Sequence, residues 1–342
     1  KFFFIGTTDS ITKMINFKHQ ALLINKKIKY KFYSDLNYEN IHFKCYYNTI
    51  TNLSFKKRGN NKVKNFLYIL NVTLPVVLLL GIGFLYGSRK KINPKTLTDL
   101  VLFLLAPALI FHTLSTQNLD IKNIVKVCFF SFSILIIPGL IAALIKKVLK
   151  IKNTVFVPSI MIMNSVSLPF PLAFLAFGEE GLSQVVLLSI PQIFVTFTIG
   201  IIIYGGRSNL KEPLIMPVLY ASIIGVLIAI FKFPVPVFIE KFAQMTGRGM
   251  FPLELFALGY RLRDIRISDF KISLFVSFLR FTIGFATAFL LTELFPMNRI
   301  LRACIFLVSC SPSAVLNYVF AERYTDEGRI AASIVFTGTV FS

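Results

Sequence analysis

The chain has 342 residues, 55 % of them hydrophobic and 15 % charged, with a mean hydropathy of +0.70. Soluble chains run near ~45–50 % apolar and about 25 % charged, so both departures point to a membrane protein. Four Cys cannot staple a chain of this length, the hydrophobicity excludes a disordered polymer, and long apolar blocks account for the net charge of +21 better than a nucleic-acid partner does.

Residues 1–65 carry 13 Lys/Arg against three acids, Asp9, Asp35 and Glu39, with no apolar run of spanning length. They read as a basic, non-membrane N-terminal extension: a fragment artefact, an upstream-translated stretch or a targeting segment. No helical period or motif supports a nucleic-acid-binding arm, and Phe2–Ile5 is too short for a signal-peptide core. From Phe66 onward come nearly charge-free runs at 66–86, 101–119, 127–145, 155–178, 181–206, 213–231, 272–291 and 303–321. Each approaches the ~20 residues that cross the hydrocarbon of a bilayer. A weaker run at 242–260 contains Arg248 and Glu254, and a last one, 330–342, reads as a helix cut short. The prediction is ten transmembrane helices in an all-α polytopic protein.

Alternate loops divide the positive charge. Those at 87–96, 146–154, 207–212, 261–271 and 322–329 hold 16 Lys/Arg against 7 on the opposite side, or 12 if Lys56, Lys57, Arg58, Lys62 and Lys64 are added to it. The richer set belongs inside, which puts the start of the first helix outside.

Prolines recur at similar spacing: Pro75, Pro107 and Pro169 against Pro217, Pro252 and Pro312. Five spans per copy is an odd number, so residues 66–206 and 207–342 are expected to form two inverted five-helix repeats, the second incomplete at its end. Inverted repeats with interrupted helices mark secondary transporters, whose site lies where the repeats meet. The fourth span reads Asn164-Ser165-Val166-Ser167-Leu168-Pro169-Phe170-Pro171, and two prolines so close forbid a continuous helix. The ninth repeats the pattern as Ser309-Cys310-Ser311-Pro312-Ser313, followed by Asn317. Two such breaks crossing at mid-membrane would aim half-helix N-termini, with open N–H groups, at an anion such as a carboxylate. The structural alternative is a pair of kinks with Ser and Asn as interhelical glue.

With these residues on the page, the chain from about 66 to its end resembles the auxin efflux carrier family of permeases, which includes malate- and malonate-type members. The resemblance is carried by 74–87, by Asn164…Pro169…Phe177-Gly178-Glu179-Glu180-Gly181, and by Asn317 to Tyr324 followed by Ala331-Ala332-Ser333. It implies a bile acid/sodium symporter-like fold of ten helices with crossed broken helices four and nine. It also implies elevator-type transport of organic anions and a scaffold that often dimerises. By the resemblance, substrate contacts fall on Asn164, Gln192, Pro312 and Asn317; Ser167 and Pro169 join them as parts of the fourth-helix break. Ser167 stands where many members have Gly.

Glu254 in span seven and Arg280 in the middle of span eight are costly within a bilayer. They are expected either to pair with each other or to serve ion or proton coupling. Cys45, Cys128, Cys304, Cys310 and the three His lack metal or catalytic spacing, and no phosphate-binding loop is present, so gradients or the membrane potential must supply the energy. The expectation is a non-enzymatic secondary permease of small organic anions, without cofactor or nucleic acid, embedded in the lipid of the cell membrane and able to form a homodimer. The competing expectations are a sodium-coupled symporter of the bile acid carrier type and a non-transporting membrane receptor or scaffold.

Overall fold

The computed structural model describes residues 61–206, 215–265 and 269–342. Residues 1–60 of the expected extension, and the expected inner loop at 207–212, lie outside them. Residues 70–342 pack as one unit; of the other, 1–69, the described part is the beginning of the first helix.

Among the described residues the secondary structure is helical. α1 (Asn61–Gly87) is followed by α2 (Pro94–Leu100), which passes through a π-helical turn at Val101–Leu105 into α3 (Ala106–Ser115). α4 (Ile121–Val148) is capped by the Asp120 carboxylate, which accepts the Asn123 N–H at 2.6 Å. α5 (Phe156–Met161) is short, and α6 (Pro169–Val195) bends at Gly178, whose φ of 66° and ψ of −153° only glycine adopts readily. A second π-helical turn, Thr196–Gly200, leads into α7 (Ile201–Ile203). The remainder comprises α8 (Pro217–Phe231), α9 (Val237–Arg248), α10 (Met250–Asp264), α11 (Phe270–Leu294), α12 (Arg299–Ser309), α13 (Val315–Tyr324) and α14 (Gly328–Phe341).

Among the described residues five helical stretches are long and apolar enough to cross a membrane: Lys64–Gly87, Thr96–Ser115, Ile121–Val148, Pro169–Ile203 and Phe270–Leu294. Shorter apolar helices are Pro217–Phe231 and Gly328–Phe341. Large apolar side chains stand outward on these helices, among them Leu140 and Leu144 of α4 and Phe278, Phe285 and Phe289 of α11. In water such a surface would aggregate; against lipid tails it costs nothing.

The helices of the 70–342 unit pack as two bundles. In the first, α3 lies against α8 and α9, and α2 against α10. α1 joins it through a glycine crossing: a Cβ on Gly83 would sit 2.1 Å from the Phe256 carbonyl oxygen, and one on Gly259 2.0 Å from that of Leu80, so the two backbones touch only because neither residue has a side chain. α10 also staples the 88–98 region, since the Tyr260 hydroxyl donates to the Ile92 carbonyl at 3.0 Å, Arg261 donates to Thr98 and Arg263 to the Gly87 carbonyl. The second bundle holds α4, α5, α6, α11, α12, α13 and α14. There the Ser131 hydroxyl of α4 donates to the Leu188 carbonyl of α6 at 2.5 Å, and the Glu327 carboxylate accepts the Val155 N–H at 3.0 Å, beside the positive start of α5.

Candidate substrate site

α5 stops at Met161 and α6 restarts at Pro169, because Pro169 and Pro171 have no N–H to continue the ladder while Pro at the first position of a new helix is well accommodated. α12 stops at Ser309 and α13 restarts at Val315, with Pro312 between them. The two interruptions lie on each other. Asn164 N–H donates to the Pro312 carbonyl at 2.8 Å and Ala314 N–H to the Ile162 carbonyl at 3.0 Å, flanking an antiparallel pair of Met163 with Ser313. Each break thus satisfies backbone groups that the other releases, which an apolar environment demands.

Asn317 fastens this crossing. Fully buried in the first turns of α13, its Nδ2 donates to the Ile162 carbonyl at 2.9 Å and to the Ser313 hydroxyl at 2.8 Å, while its Oδ1 accepts the Tyr204 hydroxyl at 3.1 Å. Arg280, 1 % exposed, reaches from α11 to donate through Nη2 to the Ser309 carbonyl at 2.8 Å, placing a cation at the negative end of α12. Gly284 makes room for that approach, since a Cβ there would lie 2.1 Å from the same oxygen.

Beside the crossing lies a cavity of about 850 Å³. Its first wall comes from α2, the π-helical turn, α3 and α10, including Ile110, Met250 and Glu254; its second comes from 162–167, Gln192–Phe197 and α13. It therefore separates the two bundles. Arg261, Glu322, Asp326 and Arg329 are the other charged residues of its lining besides Glu254.

Of the expected site residues, Asn164, Ser167, Gln192 and Glu254 line the cavity; Pro169, Pro312, Asn317 and Arg280 do not. Asn164 uses Oδ1 to accept the Ser167 N–H at 3.1 Å. Gln192 is 3 % exposed, and neither atom of its amide has a partner among the described residues. An orphaned amide is expensive in an apolar wall unless something polar is meant to reach it. Ser167 Oγ donates to Glu254 Oε1 at 2.6 Å.

Two expectations are corrected. Glu254 and Arg280 do not pair: the carboxylate takes the Ser167 hydroxyl and the guanidinium the Ser309 carbonyl. The half-helix N-termini are also unequal. In the first turn of α6 the amides of Phe170 and Leu172 are bonded to the Val166 and Leu168 carbonyls, each at 3.2 Å, and the intervening prolines have none. α13 has no side-chain cap, and its leading residues Val315 and Leu316 line the cavity. Thr196, one turn beyond Gln192 on the same wall, was missed by sequence reasoning; its i+4 spacing from Gln192 was the available signal. Among the described residues no group of three or more His, Cys, Asp or Glu is gathered that could hold a metal ion.

Apolar helices turned outward, paired helix breaks and a cavity between two bundles describe an integral multi-pass membrane protein built to handle a solute. Residues 205–342 match the membrane transport protein family. The chain is also 27 % identical over 293 residues to an uncharacterized transporter of Methanocaldococcus jannaschii, a match covering 80 % of this chain and 95 % of that protein. These likenesses support a membrane transporter similar to the auxin efflux carrier family.

Proposed function

We propose that this transporter is a secondary permease of small organic anions, carboxylates above all, working by an elevator-type exchange of access. The observation that carries the reading is the buried, unpartnered Gln192 amide facing a cavity beside two crossed helix breaks. Gln192, Asn164 and the Ser167 hydroxyl supply neutral hydrogen-bond donors, and the uncapped start of α13 supplies a positive dipole end. Such a site holds an anion through neutral donors and a helix dipole. Pro169, Pro312 and Asn317 hold the two segments in register.

In this reading 66–206 and 207–342 are two inverted five-helix repeats, supported by the near-symmetrical exchange of hydrogen bonds about Met163 and Ser313. The bundle of α4 to α6 and α11 to α14 carries the site, and the bundle of α1 to α3 and α8 to α10 is the scaffold. Arg261, Glu322, Asp326 and Arg329 belong to the positively charged inner side, so the cavity opens inward. At the other end the bundles are joined: Arg248 of α9 meets Glu179 at 3.2 Å and lies over the Phe174 ring, which packs on Phe251.

The test is flux of radiolabelled carboxylates into liposomes containing the purified protein. Saturable uptake is expected for at least one of acetate, malate, malonate, benzoate and indole-3-acetate, with external sodium replaceable by choline. Gln192→Leu should weaken binding about tenfold or more, the scale of one to two hydrogen bonds to a charged group, with its thermal midpoint unchanged or raised because an orphaned amide is removed. No saturable flux across the panel removes the reading, and flux that needs sodium favours a symporter of the bile acid carrier type.

A further inference from the structure

We infer that Glu254 and the transported anion compete for one hydroxyl, that of Ser167, so that the anion is carried together with a proton. The inference rests on the permease reading above and deepens it by naming a coupled ion.

Glu254 stands on α10 of the scaffold bundle; Ser167 lies in the crossing segment of the other bundle. Their hydrogen bond, Ser167 Oγ to Glu254 Oε1 at 2.6 Å, therefore spans the cavity that separates the bundles. Among the described residues Glu254 has no ion-pair partner. The other charged or titratable groups of the cavity wall are Arg261, two turns along the same helix, Tyr318 and Glu322 on α13, and Asp326 and Arg329 at the start of α14. Arg280, on α11, is outside the lining and turned to the Ser309 carbonyl.

Ser167 has a single hydroxyl hydrogen, and it is committed to a carboxylate that belongs to the protein. Glu254 thus occupies, from the scaffold side, a donor that a carboxylate substrate needs. A second carboxylate arriving at the same hydroxyl faces both a lost donor and a like charge, and a like charge favours the protonated form of its neighbour. The exchange balances if Glu254 takes one proton from water as the anion arrives. Ser167 then turns its hydrogen to the substrate, and the new carboxylic acid O–H of Glu254 becomes a second donor to it. Once the bundle has moved, the cavity opens to the far side, where the anion leaves and Glu254 of the scaffold releases the proton; the Ser167 bond re-forms when the empty bundle returns. One anion and one proton cross per turn. By reciprocal linkage, an anion that promotes proton uptake must itself bind more tightly as pH falls.

The test is proton uptake on binding, read with a pH dye in weakly buffered detergent solution of the full chain. Benzoate and malate are added between about pH 6 and 8, where free carboxylates are ionised. The expected result is uptake of close to one proton per anion bound, with affinity falling as much as tenfold per pH unit at the upper end. Glu254→Gln should bind with no proton uptake and no pH slope, and an inward proton gradient should no longer accelerate its flux. Saturable binding by the wild-type chain without proton uptake overturns the inference alone, and needs no variant to fold. A Glu254→Gln variant that retains the wild-type pH slope also overturns it. Absence of binding by either probe at every pH, together with no flux across the wider panel, overturns the permease reading beneath it.

Discussion

Asn317→Ala should unfold the crossing rather than merely empty a binding site. The substitution removes three hydrogen bonds at a fully buried position and leaves the Tyr204 and Ser313 hydroxyls and one lone pair of the Ile162 carbonyl to find other partners. Each buried polar group left unsatisfied costs about 1–3 kcal/mol, so a loss of about 2–5 kcal/mol is expected. Tyr204→Phe, which deletes only the bond to Oδ1, should cost about 1 kcal/mol. With no Trp in the chain, helix loss followed by circular dichroism during heating is the suitable readout. A substrate-contacting asparagine would behave oppositely, losing affinity at an unchanged melting temperature. That outcome would return Asn317 to the site itself.

Tying Glu179 to Arg248 should stop transport altogether. These residues join the two bundles beside the start of α10, whereas Arg261 of the cavity lining lies near the end of that helix, and the proposed exchange of access must separate them. Both are substantially exposed, so the ion pair contributes little to stability, on the order of 0–1 kcal/mol, and Arg248→Ala should leave the melting temperature nearly unchanged. A covalent tie differs in kind. With both positions changed to Cys and bridged by a short bifunctional thiol reagent, flux should fall to the protein-free background while anion binding from the cavity side persists. Each single Cys variant, treated identically, should keep its flux and so account for the native Cys45, Cys128, Cys304 and Cys310. Unimpaired flux in the bridged protein would mean that the bundles do not part there.

The helix breaks were legible because their cause is local. Pro169 with Pro171, and Pro312 among Ser and Cys, prohibit helix by chemistry that needs no partner. Proline by itself was a poorer guide: Pro75, Pro138 and Pro191 sit inside helices that continue past them. The proline repeat is likewise uneven in structure. Pro107 and Pro252 both fall in the first turn of a helix, whereas Pro217 opens α8 and Pro75 lies deep within α1. Partners across long separations were not legible. Nothing in the spacing of Glu254 and Arg280 says that one will meet Ser167, 87 residues away, and the other the Ser309 carbonyl. Nor does the sequence tell which face of a broken helix a polar residue takes, and so Asn164, ahead of Pro169 in the first break, and Asn317, just past the second, divide into a cavity residue and a fastener.

The glycine crossings would keep the scaffold bundle rigid under the proposed motion of the other bundle. Gly83 and Gly259 lock α1 to α10 backbone to backbone, and Arg261 and Arg263 bind the adjoining turn. Between the bundles the contacts are of another kind: apolar side chains such as Leu168, Leu172 and Val315 against Leu255 and Leu258, together with the Ser167–Glu254 bond and the Arg248–Glu179 pair. Contacts without fixed geometry can slide and re-form; backbone locks cannot.

The most direct measurement is an experimental density map of the protein in lipid with a transported carboxylate bound. The solute should lie against Gln192, Asn164 and Ser167, with its charged end toward the start of α13 and the 162–164 and 312–314 segments still hydrogen-bonded to each other. A solute held elsewhere, or continuous helices through residues 169 and 312, would contradict the account.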